Sequence, residues 1–174
     1  VLGLGNVRKI LDLVDIDSDK WLQYSLYARF PTSLIYRLEG NRMRGYEAAI
    51  TRQFDHCTVV SEIEKKLLRT FVPHIDISVI PNGVDFEFFK PKDVEYEPYS
   101  LVFTGVMDYY ANVDGVLYFH RHILPLIREK VPQVRFYIVG SNPVKEIQAL
   151  EREGNIVVTG FVQDVRLYLD KAAV

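Results

Sequence analysis

Apolar positions fall into short runs separated by longer periodic stretches. Lys9–Val14 (KILDLV), His56–Val60 (HCTVV) and Ile77–Ile80 (ISVI) have the length and the apolar, largely β-branched content of buried strands. Between the first two lie two predicted helices. Trp21–Phe30 is aromatic-rich and is stopped by Pro31; Leu34–Phe54 is opened by Ser33 as its cap. In the longer helix Leu34, Ile35, Leu38, Met43 and Ile50 make a partial stripe, with Arg37, Glu39, Arg42, Arg44 and Glu47 largely off it, as on a solvated face. Gly40 and Gly45 each weaken this helix by about 1 kcal/mol relative to alanine, so a bend or break is expected there. Ser61-x-x-Glu64 reads as a capping box opening Glu62–Phe71, and Pro73 follows that helix.

A second series starts at Ser100. Its strands are Ser100–Thr104 (SLVFT), Val134–Val139 (VRFYIV) and Asn155–Thr159 (NIVVT). Its helices are Val113–Lys130 capped by Asn112, a helix from Pro143 to Glu153 closed by Gly154, and a last one opened by Asp164. Val113, Val116, Leu117, Ile123, Leu124 and Ile127 share one face, and Pro125 is expected to kink the helix near its last turns. Each strand runs into a glycine: Gly105, Gly140 and Gly160. Repeated strand–glycine–helix order implies right-handed crossovers and a parallel sheet, hence an α/β fold. Ligands of such sheets bind beyond the carboxyl ends of the strands, so the three glycine loops are expected to converge on one cleft edge. A phosphorylated ligand fits that edge; glycine turns that bind nothing fit the same spacing.

Between the two series stands Ile77–Asp85 (ISVIPNGVD). Pro81 ends the strand because it has no amide for a sheet ladder, and Asn82-Gly83 tolerates a sharp turn. The stretch reads as a last strand followed by an interdomain hinge; a plain strand-to-turn step within one domain is the alternative.

Composition narrows the classes. The 174 residues, 48% hydrophobic and 25% charged, suffice for one large core or two small ones. A net charge of −2 gives no strong basic field for nucleic acid or an anionic membrane. The single cysteine, Cys57, excludes an internal disulfide framework and fits a reducing compartment. No apolar run approaches the ~18 residues that span a bilayer, and the opening VLGLGNVRKI lacks a signal-peptide pattern. The acidic run Asp15-Ile16-Asp17-Ser18-Asp19 follows a strand. Its D-x-D spacing offers hard oxygen ligands to Mg²⁺ or Mn²⁺, while Asp17 or Ser18 equally serves as the next helix's N-cap. A calcium loop is excluded, since Lys20 and Leu26 stand where its glycine and glutamate belong. His56, His74, His120 and His122 show no metal spacing.

The segments Val79–Asp85 with Phe89 and Pro91, F-T-G-V-M-D-Y-Y-A-N-V-D-G, I-V-G-S-N-P and V-V-T-G-F-V-Q-D-V together resemble the hinge and loops of the GT-B retaining glycosyltransferases of group 1. DIDSDKW, YRLEGNR and VVSEIEKK further resemble a branch of sugar transferases in bacterial exopolysaccharide systems linked to PEP-CTERM sorting. The resemblance implies two Rossmann-like parallel-sheet units, both incomplete here. Residues 1–81 would end an N-terminal, acceptor-side domain, 82–99 would be a hinge and linker with Pro81, Asn82 and Gly83 at its start, and 100–174 would be the first half of a nucleotide-sugar-binding domain. It implies a metal-independent enzyme with no cofactor beyond a nucleotide-sugar substrate and with a polysaccharide or lipid-linked acceptor. The expected location is cytoplasmic, with peripheral contact to the inner membrane face and no nucleic-acid partner. Gly105, Val106, Met107 and Asn112 would face the donor phosphates, Gly140, Ser141 and Asn142 would border the nucleotide, and Phe161 and Val162 would meet the base. Tyr109 and Tyr110 are available to stack on the donor or to pack. Val106 and about Ala111 stand where the commoner pattern has arginine and lysine, and Asp114 in the helix's first turn would oppose an anion. The family's paired glutamates would lie beyond Val174 and its acceptor-side opening before Val1, so catalytic residues are expected outside this chain. Two other classes stay open: a nucleotide- or phosphate-binding module without transfer chemistry, and a metal-dependent transferase using the D-x-D.

Overall fold

The computed structural model describes residues 7–92 and 94–174; residues 1–6 of the expected first domain and Asp93 of the expected linker lie outside the described residues. The chain forms two compact units, Val1–Val84 and Asp85–Val174.

In the first unit β1 (Ile10–Leu13), β2 (His56–Val59) and β3 (Ile77–Val79) form a parallel sheet in that order, with Leu11 opposite Cys57 and Cys57 opposite Ile77. The helices are α1 (Asp17–Tyr27), α2 (Thr32–Thr51) and α3 (Glu62–Phe71). Ile16, Cys57, Val59, Leu68, Val72 and Ile77 make the core. Ser61 Oγ accepts from the Glu64 amide at 3.2 Å, as the capping box requires.

Helix α1 departs from expectation. Neither Asp17 nor Ser18 caps it: the helix starts at Asp17, and Ser18 is fully buried. A carboxylate from the neighbouring helix does the capping. Glu47 Oε1 accepts from the Ser18 amide at 3.0 Å, and Ser18 Oγ donates to Glu47 Oε2 at 2.5 Å. Glu47 is 5% exposed, so it does not belong to a solvated face. The stripe of α2 is also corrected. Leu34, Ile35 and Leu38 are half exposed, and the buried line runs Gly40, Glu47, Thr51. Gly40 explains this: a Cβ there would lie 2.8 Å from Leu22 Cγ, so α2 packs on α1 through its glycine and runs unbroken from Thr32 to Thr51. Pro31, not Ser33, stands immediately before α2.

In the second unit β4 (Ser100–Thr104), β5 (Arg135–Val139) and β6 (Ile156–Gly160) form a second parallel sheet in sequence order, with an irregularity between Ile138 and Val139. Helices α4 (Tyr110–Tyr118), α5 (Leu124–Lys130), α6 (Lys145–Gln148) and α7 (Arg166–Leu169) complete it. Met107, Val116, Leu124, Val134, Phe136, Ile138, Ile147, Leu150 and Ile156 are its core.

A kink is expected near the last turns, and the irregularity of the helix lies earlier. Pro125 has no amide to give the carbonyl four residues before it, and the helix widens into a π-turn at Phe119–Ile123, with the Leu124 amide reaching Phe119 O. The wider turn rotates Ile123 outward, to 38% exposure, and Phe119 packs on Phe136 instead, with ring centroids 4.9 Å apart. The helix expected from Pro143 starts at Lys145 and tightens to a 3₁₀ turn at Ala149–Glu153, closed by left-handed Gly154 at φ +75°. Within the stretch 82–99, the residues from Asp85 onward cluster with the second unit. The Glu97 amide donates to Lys171 O at 2.8 Å, and Ser100 Oγ donates to Glu97 O at 2.6 Å.

At the other end, Val174 runs alongside β4. Its amide donates to Ser100 O at 3.2 Å, and its carbonyl accepts from the Val102 amide at 2.9 Å, the hydrogen-bond pattern of a parallel bridge. The chain therefore steps from β4 to β5 to β6 and then returns past β4 to its far side. Among the described residues no helix is long and apolar enough to cross a membrane.

Candidate functional site

Reversal of strand order defines a topological switch point, and in open α/β sheets ligands bind there, outside the carboxyl ends. In the second unit the reversal lies between β4 and Val174, so the crevice it creates opens at the end of β4, where Gly105 begins the loop to α4.

Three glycines line this edge side by side. The Gly105 amide donates to Val139 O at 3.1 Å, and the Gly140 amide to Gly160 O at 3.2 Å. Gly140 has φ +153°, and a Cβ on it would sit 1.6 Å from Gly105 O. Its missing side chain is thus required by the neighbouring backbone. Gly160 is left-handed, at φ +67°. Gly105 is different: its φ is ordinary, and a Cβ would meet Asn112 Nδ2 at 2.6 Å, so the space beside it is filled by that amide and not left open for a ligand.

Two loops are knitted together beyond the glycines. The Met107 amide donates to Ser141 O at 2.8 Å, the Val144 amide to Met107 O at 3.2 Å, and Asn142 Nδ2 to Asp108 Oδ2 at 3.2 Å. Met107 is fully buried in the core, and both its backbone groups are engaged. Asn112 is corrected as a cap. The helix begins two residues earlier, and Asn112 Nδ2 reaches back to Val106 O at 2.9 Å, closing the loop on itself. Asp114 then lies in the second turn, and the first turn of α4 carries no acid, so an anion at its amino end meets the positive pole of the helix without an opposing carboxylate from that turn. Val106, Asn142 and Phe161 are exposed, Phe161 to 77%; Ser141 and Val162 are partly buried. Asn142 holds φ +55°, which asparagine tolerates better than most residues. Asp108, in the Gly105–Asn112 loop, stands at the same edge. Its exposed carboxylate is anchored by Asn142 and suits sugar hydroxyls better than phosphate. Pro81, Asn82 and Gly83 are exposed in the segment after β3.

Clefts lie elsewhere, among them one of about 400 Å³ beside Arg52, Asp55 and His74 in the first unit. One of about 470 Å³ runs between α1 and α2, lined by Leu22, Leu26, Leu34 and Arg37; one of about 260 Å³ lies at the amino edge of the second sheet beside Glu97, Tyr137 and Lys171.

The D-x-D carboxylates do not converge. Asp17 and Asp19 stand two residues apart on α1, nearly opposite around the helix; Asp17 pairs with Lys20 at 2.7 Å and Asp19 accepts from Gln23 at 2.5 Å. Among the described residues no group of three or more His, Cys, Asp or Glu side chains is placed to hold a metal ion.

Comparison with known proteins follows the same division. Residues 98–174 match the family model described as glycosyl transferases group 1, and residues 25–88 match the model for glycosyltransferase family 4. Two solved structures are similar: TarM, at 16% identity and a TM-score of 0.60 over 75% of this chain, and the pneumococcal O-GlcNAc transferase GtfA in complex with UDP and GlcNAc, at 16% identity and 0.57 over 74%. The fold is GT-B. The chain covers 26% of the length of each of those GT-B proteins. No curated protein matches it in sequence. Both parallel sheets thus have their counterparts in the GT-B architecture, and both matched models are of glycosyltransferases.

Proposed function

We propose that this chain is part of a retaining, metal-independent hexosyltransferase. It takes a sugar from a nucleotide-sugar donor and passes it to a polysaccharide or lipid-linked acceptor in bacterial exopolysaccharide synthesis, on the cytoplasmic side and in peripheral contact with the inner membrane face. The observation that carries the donor reading is the switch point at the end of β4. Gly105–Asn112 and Gly140–Asn142 meet there, and α4 offers its positive pole to a diphosphate. In this reading the amino end of α4 takes the role of the absent arginine and lysine. Val106 borders the phosphates, Asp108 and Asn142 meet sugar or ribose hydroxyls, and Phe161 with Val162 meets the base. The similar UDP complex of GtfA supports a nucleoside diphosphate as the probe.

The test is calorimetric titration of the whole protein with UDP, GDP and ADP, followed by a transfer assay with the sugar nucleotide of whichever binds, in chelator. Expected are saturable binding of one diphosphate and activity that survives the chelator. Absence of binding by all three overturns the donor reading, and binding without transfer favours a nucleotide-binding module. Residues 1–174 alone are expected to show no turnover.

A further inference from the structure

The first turn of the second unit is held by one side chain from its last helix. Asp85 Oδ1 accepts from the Phe88 amide at 3.0 Å, and Asp85 O accepts from the Phe89 amide at 2.9 Å, so 85–89 is a closed turn. Arg166, at the start of α7, grips it. Its Nη1 donates to Phe88 O at 2.8 Å, and its guanidinium carbon lies 3.8 Å from the centroid of the Phe88 ring. The other side of the same guanidinium is fixed by Asp164, with Nε on Oδ1 at 2.8 Å and Nη2 on Oδ2 at 2.7 Å, and the Arg166 amide also donates to Asp164 Oδ1. Each of the three guanidinium nitrogens donates while the face of the group lies on the ring, a combination that lysine cannot reproduce. Asp164 belongs to the loop that leaves β6 at Gly160, and that loop carries Phe161 and Val162.

We infer that Arg166 is a positioning residue that makes the Gly160–Val165 loop and the Asp85–Phe89 turn one rigid piece, so that a nucleotide seated on the loop also steadies the turn. The coupled half rests on the donor reading above; the latch itself does not. The last sheet-side contact of the first unit is the Ile80 amide on Val59 O at 2.8 Å, so Pro81–Val84 is left as the stretch between the two anchored ends. Coupling of this kind is reciprocal: whatever loosens the turn also weakens the ligand's hold on the loop.

The experiment is limited chymotrypsin digestion of the whole protein after Phe88 and Phe89, with and without UDP, in wild type, Arg166→Ala and Arg166→Lys, with folding checked by circular dichroism. Phe88→Leu, cleaved after Phe89, retains the backbone acceptor and loses only the ring face, and serves if the arginine variants fold poorly. Without UDP, Arg166→Ala is expected to cleave about tenfold faster at this turn, from the loss of a stacked, charge-assisted contact. Arg166→Lys should resemble alanine, and Phe88→Leu should fall between them and wild type. UDP should slow cleavage in wild type and leave Arg166→Ala unchanged, a difference that loss of stability alone does not produce. Unchanged cleavage in folded Arg166→Ala or Phe88→Leu overturns the latch. Equal UDP protection of wild type and Arg166→Ala, or no protection of wild type by bound UDP, overturns the coupling. If UDP, GDP and ADP all fail to bind, the donor reading falls and the coupling with it, while the digestion without ligand still decides the latch.

Discussion

The two units share an architecture and differ at the helix that follows their first strand. In the first unit the amino end of α1 is occupied by a carboxylate of the protein itself, Glu47, buried and held by the amide and hydroxyl of Ser18. In the second, the N-cap residue Tyr109 gives α4 no side-chain cap, the first turn is free of acid, and Asn112 turns away to close the preceding loop. Both helix ends favour an anion. One has been given an internal anion and is finished as structure; the other is left facing the edge where the sheet reverses. The difference teaches that a glycine-lined strand end becomes a candidate site when the helix after it keeps its first turn free of acid, and not merely because glycine is present.

Four measurements break or sharpen this contrast. The largest effect is expected at Gly140. Alanine there would put a Cβ 1.6 Å from Gly105 O in backbone that disfavours side chains, so Gly140→Ala should cost more than about 4 kcal/mol or leave the second unit unfolded. Urea unfolding monitored separately for each unit checks it; a stable variant would show that the glycine row is not fixed by its own backbone. Next is Glu47→Ala, which strands the buried Ser18 donors and should destabilise the first unit by about 2 kcal/mol. Nucleotide titration of the same variant should be unaltered, since this pole is structural; altered binding would end the contrast.

Gly105→Ala comes third. The obstructing atom is the end of a flexible side chain, so about 1 kcal/mol is expected, and Gly105→Ala with Asn112→Ala should be less destabilised than the two single costs added. Strict additivity in the double-mutant cycle would show that Asn112 does not occupy the space beside Gly105. The smallest effect concerns acid. Burial pushes the Glu153 carboxyl up, but its hydrogen bonds from Arg128 and His120 outweigh this and leave it below the ordinary glutamate range. Its contribution is therefore complete above that range and is lost as pH falls through the lowered value. Stability of the second unit between pH 6 and 3 should decline less steeply in Arg128→Leu than in wild type, with the first unit following one curve in both proteins.

Much of this was legible in the residues. All six strands were readable as apolar runs, and the Ser61–Glu64 box and closing Gly154 were readable because each rests on local chemistry. Glu47 was not, since a glutamate on a helix reads as solvated unless its partner is known, and Ser18 stands 29 residues away. The π-turn was not anticipated, because Pro125 marks only where an amide is missing, while the cost falls on the turn before it. The role of Asn112 was misread for a similar reason: the same side chain serves as a cap or as a loop tie, and the choice depends on where Tyr110 starts the helix. Asp108 and Arg166 make contacts with Asn142 and Phe88 that no spacing rule could anticipate.

The pairing of Val174 with β4 has a consequence for how the chain is made. The two partners are more than 70 residues apart, as the neighbouring contact of Ala173 with Ser100 is, at a separation of 73. A ribosome delivering residues in order releases β4 long before the segment that will lie against its outer side. Until then β5 and β6 can join only the other edge, and β4 travels with an unpaired row of amides and carbonyls. Closing so long a loop adds entropy that local contacts do not repay, so this late return should be the slow step in completing the sheet and the interval in which the nascent chain most needs protection from others like it.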